Sequence, residues 1–277
     1  MYSPVGLDRR PGAIIGENEC QIEVGGGVVL EARLASPTAP AGALVLCHPH
    51  PLYGGDMDNP VIVRAAEVCA EANLATLRFN FRGVGASGGR HGGGREEQDD
   101  VRAALGVLAR VTGPGPLGIL GYSFGAWMAA LVGGQSRTLG GLALIAPPLS
   151  LYDFGGLAGL EPRPLLLATG SRDPYCPLDA FQELAAGLPW AGARVIEGAD
   201  HFFFGRLYPL GEAVRAFAEQ FRDARAGARQ GPKAKGPRRG RRGGAAVPAE
   251  RMMRTPSSTE RPVWIRSSRE SRMTSPR

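Results

Sequence analysis

The sequence predicts an α/β chain: a mostly parallel central sheet with helices on both faces. Three observations carry this. From Ala43 onward, short apolar runs alternate with stretches of helical period, the rhythm of successive strand–helix–strand units. The run Ala43-Leu44-Val45-Leu46-Cys47 is continuously apolar, as a strand covered by helices on both faces must be. Finally, Gly121-Tyr122-Ser123-Phe124-Gly125 fits a G-x-S-x-G pattern between the apolar Leu117-Gly118-Ile119-Leu120 and the helix-forming Ala126-Trp127-Met128-Ala129.

The elements follow in order. Cys20 to Val24 and Val28 to Ala35 are β-like runs around Gly25-Gly26-Gly27, which predicts a hairpin. After the strand Ala43 to Cys47, Asn59 to Asn73 places Val61, Ala65, Val68 and Ala72 on one helical stripe. Leu74 to Asn80 returns to strand, Glu96 to Val111 to helix and Leu117 to Tyr122 to strand. Beyond the Ser123 helix come strands at Leu142 to Ala146 and Pro164 to Thr169. A helix from about Leu178 to Leu188, a strand at Arg194 to Glu197 and a helix from about Leu210 to Arg225 complete the pattern.

Charge divides the chain. Of 32 Lys and Arg against 26 Asp and Glu, residues 226–277 hold 14 against 3, leaving 18 against 23 for residues 1–225. The predicted organisation is an N-terminal extension at 1–19, a catalytic domain at 20–225 and a basic, disordered tail at 226–277. The tail predicts nonspecific, salt-sensitive contact with polyanions. Its single aromatic, Trp264, and lack of a folded reader argue against specific recognition. Neither a signal-like opening nor a run of some eighteen apolar residues is present, which predicts a cytoplasmic protein without a membrane partner. Cys20, Cys47, Cys69 and Cys176 are widely spaced and read as buried thiols.

Chemistry converges on Ser123. A serine on a strand-to-helix turn stands clear of the backbone, and the following N–H, that of Phe124, points where an oxyanion develops. Its partners on such a turn follow in the order Asp or Glu, then His. Among His48, His50, His91 and His201, only His201 lies after Ser123. Asp173, just beyond the strand Pro164 to Thr169, has the best context for the orienting carboxylate; Asp153 is second and Asp200 third. The second oxyanion donor belongs to the loop after Cys47, where Pro49 and Pro51 have no N–H, so the backbone N–H of His50 is chosen and that of Leu52 is second. His48 and His50, two apart on an extended chain, face opposite ways and find no third ligand, so no metal is expected.

Taken together, His48-Pro49-His50-Pro51-Leu52-Tyr53-Gly54-Gly55, Phe79 to Gly88, Glu96 to Asp100, Gly121 to Gly125, Asp173 and His201-Phe202-Phe203 resemble the small α/β-hydrolases related to dienelactone hydrolase, in particular the predicted serine esterases. The similarity spans about Cys20 to Phe221 and implies the α/β-hydrolase fold, with Ser123 as nucleophile, Asp173 as acid and His201 as base. Dienelactone hydrolase itself uses a cysteine nucleophile, so Ser123 argues against that activity.

The literal G-x-G-x-x-G at Gly83 to Gly88 is separated from the next helix by further glycines, which argues against a dinucleotide site, and no cofactor is expected. It reads instead as a tight loop held by Arg82 and the acids of Glu96 to Asp100. Only Pro147 to Arg163 lies where larger relatives insert a cap, so no large cap domain is expected. The predicted site is an open cleft shaped by Tyr53, Tyr122, Phe124 and the Tyr152 to Phe154 loop. The predicted function is a carboxylesterase-like serine hydrolase acting on small-molecule acyl esters through an acyl-enzyme. The alternatives are an acyl peptidase or thioesterase on the same three residues, and a non-catalytic binder of polyanions through the tail.

Overall fold

The computed structural model describes residues 16–229. The chain divides into two units, Met1–Lys233 and Ala234–Arg277, and the described residues all belong to the first. The expected basic tail beyond Arg229 and the expected extension up to Ile15 lie outside the described residues.

Eight strands form one sheet: β1 (Glu17–Gly25), β2 (Val28–Ala35), β3 (Ala43–Cys47), β4 (Ala75–Phe79), β5 (Leu117–Tyr122), β6 (Gly141–Ile145), β7 (Leu165–Gly170) and β8 (Gly192–Ile196). Their order is β1-β2-β4-β3-β5-β6-β7-β8. The hairpin β1–β2 joins antiparallel to β4, and from β4 through β8 the pairing is parallel. The helices are α1 (Pro60–Glu71), α2 (Glu97–Thr112), α3 (Phe124–Gln135), α4 (Leu178–Ala186) and α5 (Leu207–Arg229). β1 begins three residues before the expected strand and α5 runs four residues past Arg225.

The central strands sort their side chains alternately to two cores. Val45, Leu77 and Ile119 pack on one face with Val101, Ala104 and Leu108 of α2, Met128 and Val132 of α3, and Phe181 of α4. Leu44, Leu46, Leu120 and Ile145 face the other way, onto Ile62 and Ala66 of α1 and Val214, Phe217 and Phe221 of α5. This is why these strands are apolar throughout: both faces are covered, and each buried leucine or isoleucine contributes about 1.5–3 kcal/mol. Among the described residues the four cysteines are unpaired, and burial pushes the Cys69 thiol up to about 12. None of the described helices is long and apolar enough to cross a membrane.

A charged exception lies inside β4. Arg78 is fully buried; its Nε and Nη2 donate to the two carboxylate oxygens of Glu17 at 2.7 and 2.6 Å, and its Nη1 donates to Asp58 and the Met57 carbonyl. Asp58 also accepts from Arg33, the residue opposite Arg78 in the β2–β4 register. This network clamps β1 and the segment before α1 to the sheet. Removing one member of a buried ionic set strands the others, so Arg78→Ala is expected to cost about 3–5 kcal/mol in denaturant unfolding, whereas Arg78→Met, which keeps the apolar stem, should cost less. Wild-type stability in Arg78→Ala would show that the network is energetically neutral.

Candidate active site

The carboxyl ends of β3, β5, β7 and β8 bring the site together. Ser123 joins β5 directly to α3 with φ 55° and ψ −119°, an unusual conformation for a residue with a side chain, and its N–H donates to Ile145 O at 2.9 Å. The glycines around it are required by space. A Cβ on Gly121 would stand 2.1 Å from Gly125 O, and one on Gly125 would stand 2.1 Å from Cys47 O.

Asp173 lies on the turn after β7 and His201 on the loop after β8. His201 Nε2 is 2.9 Å from Ser123 Oγ, and its Nδ1 is 2.8 Å from Asp173 Oδ2. A carboxylate can only accept, so the ring proton belongs on Nδ1 and Nε2 is left to accept from the serine hydroxyl. The carboxylate is itself fixed, because Asp173 Oδ1 accepts the N–H groups of Tyr175 and Cys176 at 2.9 and 3.2 Å. Below the imidazole, the Tyr122 hydroxyl donates to the His201 carbonyl at 2.9 Å. The left-handed turn at Phe203, φ 55°, then carries the chain away with its ring buried.

The alternative acids are committed elsewhere. Asp153 is exposed and accepts from Gly155 N–H, and Asp200 accepts from Phe202 and Phe204 N–H, so both are turn formers.

The loop after β3 discriminates in the same way. The N–H of Leu52 donates to His50 Nδ1 at 3.2 Å, whereas no hydrogen bond joins the N–H of His50 or Phe124 to another described residue. His48 is a satisfied core histidine: its Nε2 accepts from Phe81 N–H at 3.0 Å, which places the proton on Nδ1, 2.6 Å from Pro49 O. Burial pushes its pKa down to about 3. With both nitrogens engaged it ties the His50 loop to the chain after β4. Among the described residues no three His, Cys, Asp or Glu side chains gather as for a metal.

The glycine-rich segment after β4 packs as a closed loop. Gly83 N–H donates to Gly88 O, and Glu31 Oε1 accepts from Ala86 N–H and Asn80, occupying the space that a Cβ on Gly85 would need. Arg82 pairs with buried Asp100 at 2.6 Å, and buried Glu97 accepts from Gly92 and Gly94 N–H at 2.7 Å each. The amides of Ala86, Gly92 and Gly94 are therefore turned to protein carboxylates and that of Gly83 to a backbone carbonyl, an arrangement that suits no pyrophosphate. The loop delivers His91 beside His50, ring centroids 5.0 Å apart, with both rings against Phe124.

A cleft of about 630 Å³ opens over Ser123 and His201, lined among others by Tyr53, Tyr122, Phe124 and Tyr152 as expected. Phe154 does not take part: it turns inward, 6% exposed, and joins the core. Pro148, Leu151 and Tyr175 line the cleft without having been anticipated, because each lies on a loop with no periodicity to orient it. Between β6 and β7 only one 3-10 turn, Gly155–Leu157, is present, and among the described residues this segment forms no helical cap over the cleft.

No family model matches the chain. An uncharacterized protein of Rickettsia prowazekii (strain Madrid E) is 36% identical over 197 residues, covering 67% of this chain and 81% of the relative. An alpha-beta serine hydrolase homologue from Coxiella burnetii is 32% identical at a TM-score of 0.65, covering 74% of this chain and 98% of that one. A serine hydrolase from Xanthomonas campestris described as having no lid is 26% identical at a TM-score of 0.67, covering 76% and 98%. With the sheet order, the turn at Ser123 and these similarities in hand, the chain belongs to the α/β-hydrolase superfamily, and its general class of activity is that of a hydrolase.

Proposed function

We propose that the protein is a serine esterase that cleaves small acyl esters through an acyl-enzyme. The observation that carries this reading is the unbroken line from Ser123 Oγ to His201 Nε2 at 2.9 Å and from His201 Nδ1 to Asp173 Oδ2 at 2.8 Å, set on a strained strand-to-helix turn. Ser123 Oγ attacks the ester carbonyl while His201 Nε2 takes its proton. The developing oxyanion is held by the N–H groups of Phe124 and His50. The imidazolium, stabilised by Asp173, gives the proton to the leaving alcohol; water, deprotonated by His201, then attacks the acyl-enzyme and releases Ser123. A fluorophosphonate label should modify Ser123, located by mass spectrometry, and fail to modify the His201→Ala protein. Labelling at another serine, or none in an intact protein, would sink the reading.

The uncapped cleft sets the expected substrate size. No helical cap between β6 and β7 closes over a long chain, and a methylene contributes at most about 0.8 kcal/mol even when fully buried. Acyl chains of about two to six carbons should therefore show higher kcat/KM than chains of twelve or more, with no jump in rate at the micelle threshold. A steady rise with chain length would reveal an acyl tunnel.

A further inference from the structure

The cleft has aromatic walls on both sides of Ser123 and no Asp, Glu, Lys or Arg in its lining. On the oxyanion side, His50 packs against Tyr53 and Phe124 with ring centroids 4.8 and 4.9 Å apart, and Phe124 meets Tyr152 edge-on at 6.3 Å. Tyr152 is held in place by Trp127, stacked at 4.1 Å and 6°. On the histidine side, Tyr175 and Phe202 each pack edge-on against His201, at 4.8 and 5.6 Å.

Resting on the esterase reading above, we propose that the substrates are uncharged esters carrying a planar aromatic ring within one or two bonds of the scissile group. The wall rings touch His50, Phe124 and His201 themselves, so a ring that uses them must lie close to the reacting carbonyl. Tyr152 is ordered in advance by its stack on Trp127, so little is spent on arranging that ring when substrate binds. Aromatic rings meeting a substrate ring face-to-edge or offset gain attraction beyond the area buried, an advantage of about threefold to tenfold that a saturated ring of the same size does not share. The same walls disfavour an ionised substituent, which would lose water without meeting a counter-charge.

The test compares pairs of similar size on the full chain, each kcat/KM taken relative to that ester's own rate of hydroxide hydrolysis so that intrinsic reactivity cancels: benzyl acetate against cyclohexylmethyl acetate, and methyl phenylacetate against methyl cyclohexylacetate. The aromatic member of at least one pair should have a kcat/KM about fivefold or more above its saturated partner, and adding a para-carboxylate should lower it about tenfold. Tyr152→Leu or Tyr175→Leu, which keep apolar bulk but remove the ring, should bring the aromatic-to-saturated ratio towards one. Tyr208→Leu, which alters an exposed aromatic outside the lining, should leave the ratio as it is. Ratios near one for both pairs, in an enzyme that hydrolyses all four esters, would overturn the inference and leave the esterase reading standing. A ratio that persists in both leucine variants would overturn it equally. Absence of hydrolysis of all four esters together with absence of Ser123 labelling would overturn the esterase reading, and this inference with it.

Discussion

Ser123→Ala and His201→Ala are each expected to lower ester hydrolysis by about 10³-fold or more, and the double variant to be little worse than either. The reason is the shared proton. His201 Nε2 lies 2.9 Å from Ser123 Oγ, and in the proposed mechanism the two act in one transfer, so once either is gone the other has nothing left to contribute. Asp173→Asn should fall by about 10²–10⁴-fold, because an amide facing Nδ1 favours the wrong tautomer. Steady-state rates on a short ester, with circular dichroism as a check on folding, decide the matter. A His201→Ala protein that is folded and retains most of its rate would mean that the base lies elsewhere.

Gly125→Ala, a change of one methyl group, is expected to lose at least about 10²-fold in kcat and about 1–3 kcal/mol in stability. The added Cβ would lie 2.1 Å from Cys47 O and 2.7 Å from His48 O, and neither backbone atom can swing aside as a side chain could. Relief requires the start of α3 to lift from the end of β3. That movement separates the N–H of Phe124 from the N–H of His50, the two groups assigned to the oxyanion. Gly156→Ala is the matched control, since a Cβ there meets nothing within 4 Å, and it should change neither property. If Gly125→Ala melted and turned over like the wild type, the close approach of α3 to β3 would not be what positions these donors.

Much of the architecture was legible because its signals are local. Leu117–Tyr122 appears as a strand with the expected bounds, and α1, α2 and α4 fall within two residues of their expected starts or ends, since hydrophobic period and glycine punctuation act over a few residues. The site was legible for a different reason. In a parallel sheet the carboxyl ends of the strands converge on one edge, so residues just after β5, β7 and β8 become neighbours however far apart they lie in the chain. Ser123, Asp173 and His201 satisfy that condition, and histidine is scarce enough here for chain order to single out His201.

What the sequence determined by itself, then, was the succession of strands and helices, the turn that carries Ser123 and a short set of candidate partners. Only the tertiary structure shows where those candidates lie: Asp173, not Asp153 or Asp200, meets the His201 ring, and the N–H of Leu52 is bonded to the His50 ring while that of His50 has no hydrogen bond to another described residue. It also decided that Phe154 turns to the core while Tyr175 turns to the cleft, and that Arg78, lying in an apolar run, finds Glu17 61 residues away. Periodicity constrains which face of its own element a residue occupies. Which group it meets there depends on strand order and loop path, and these are set by the packing of the whole sheet against its helices.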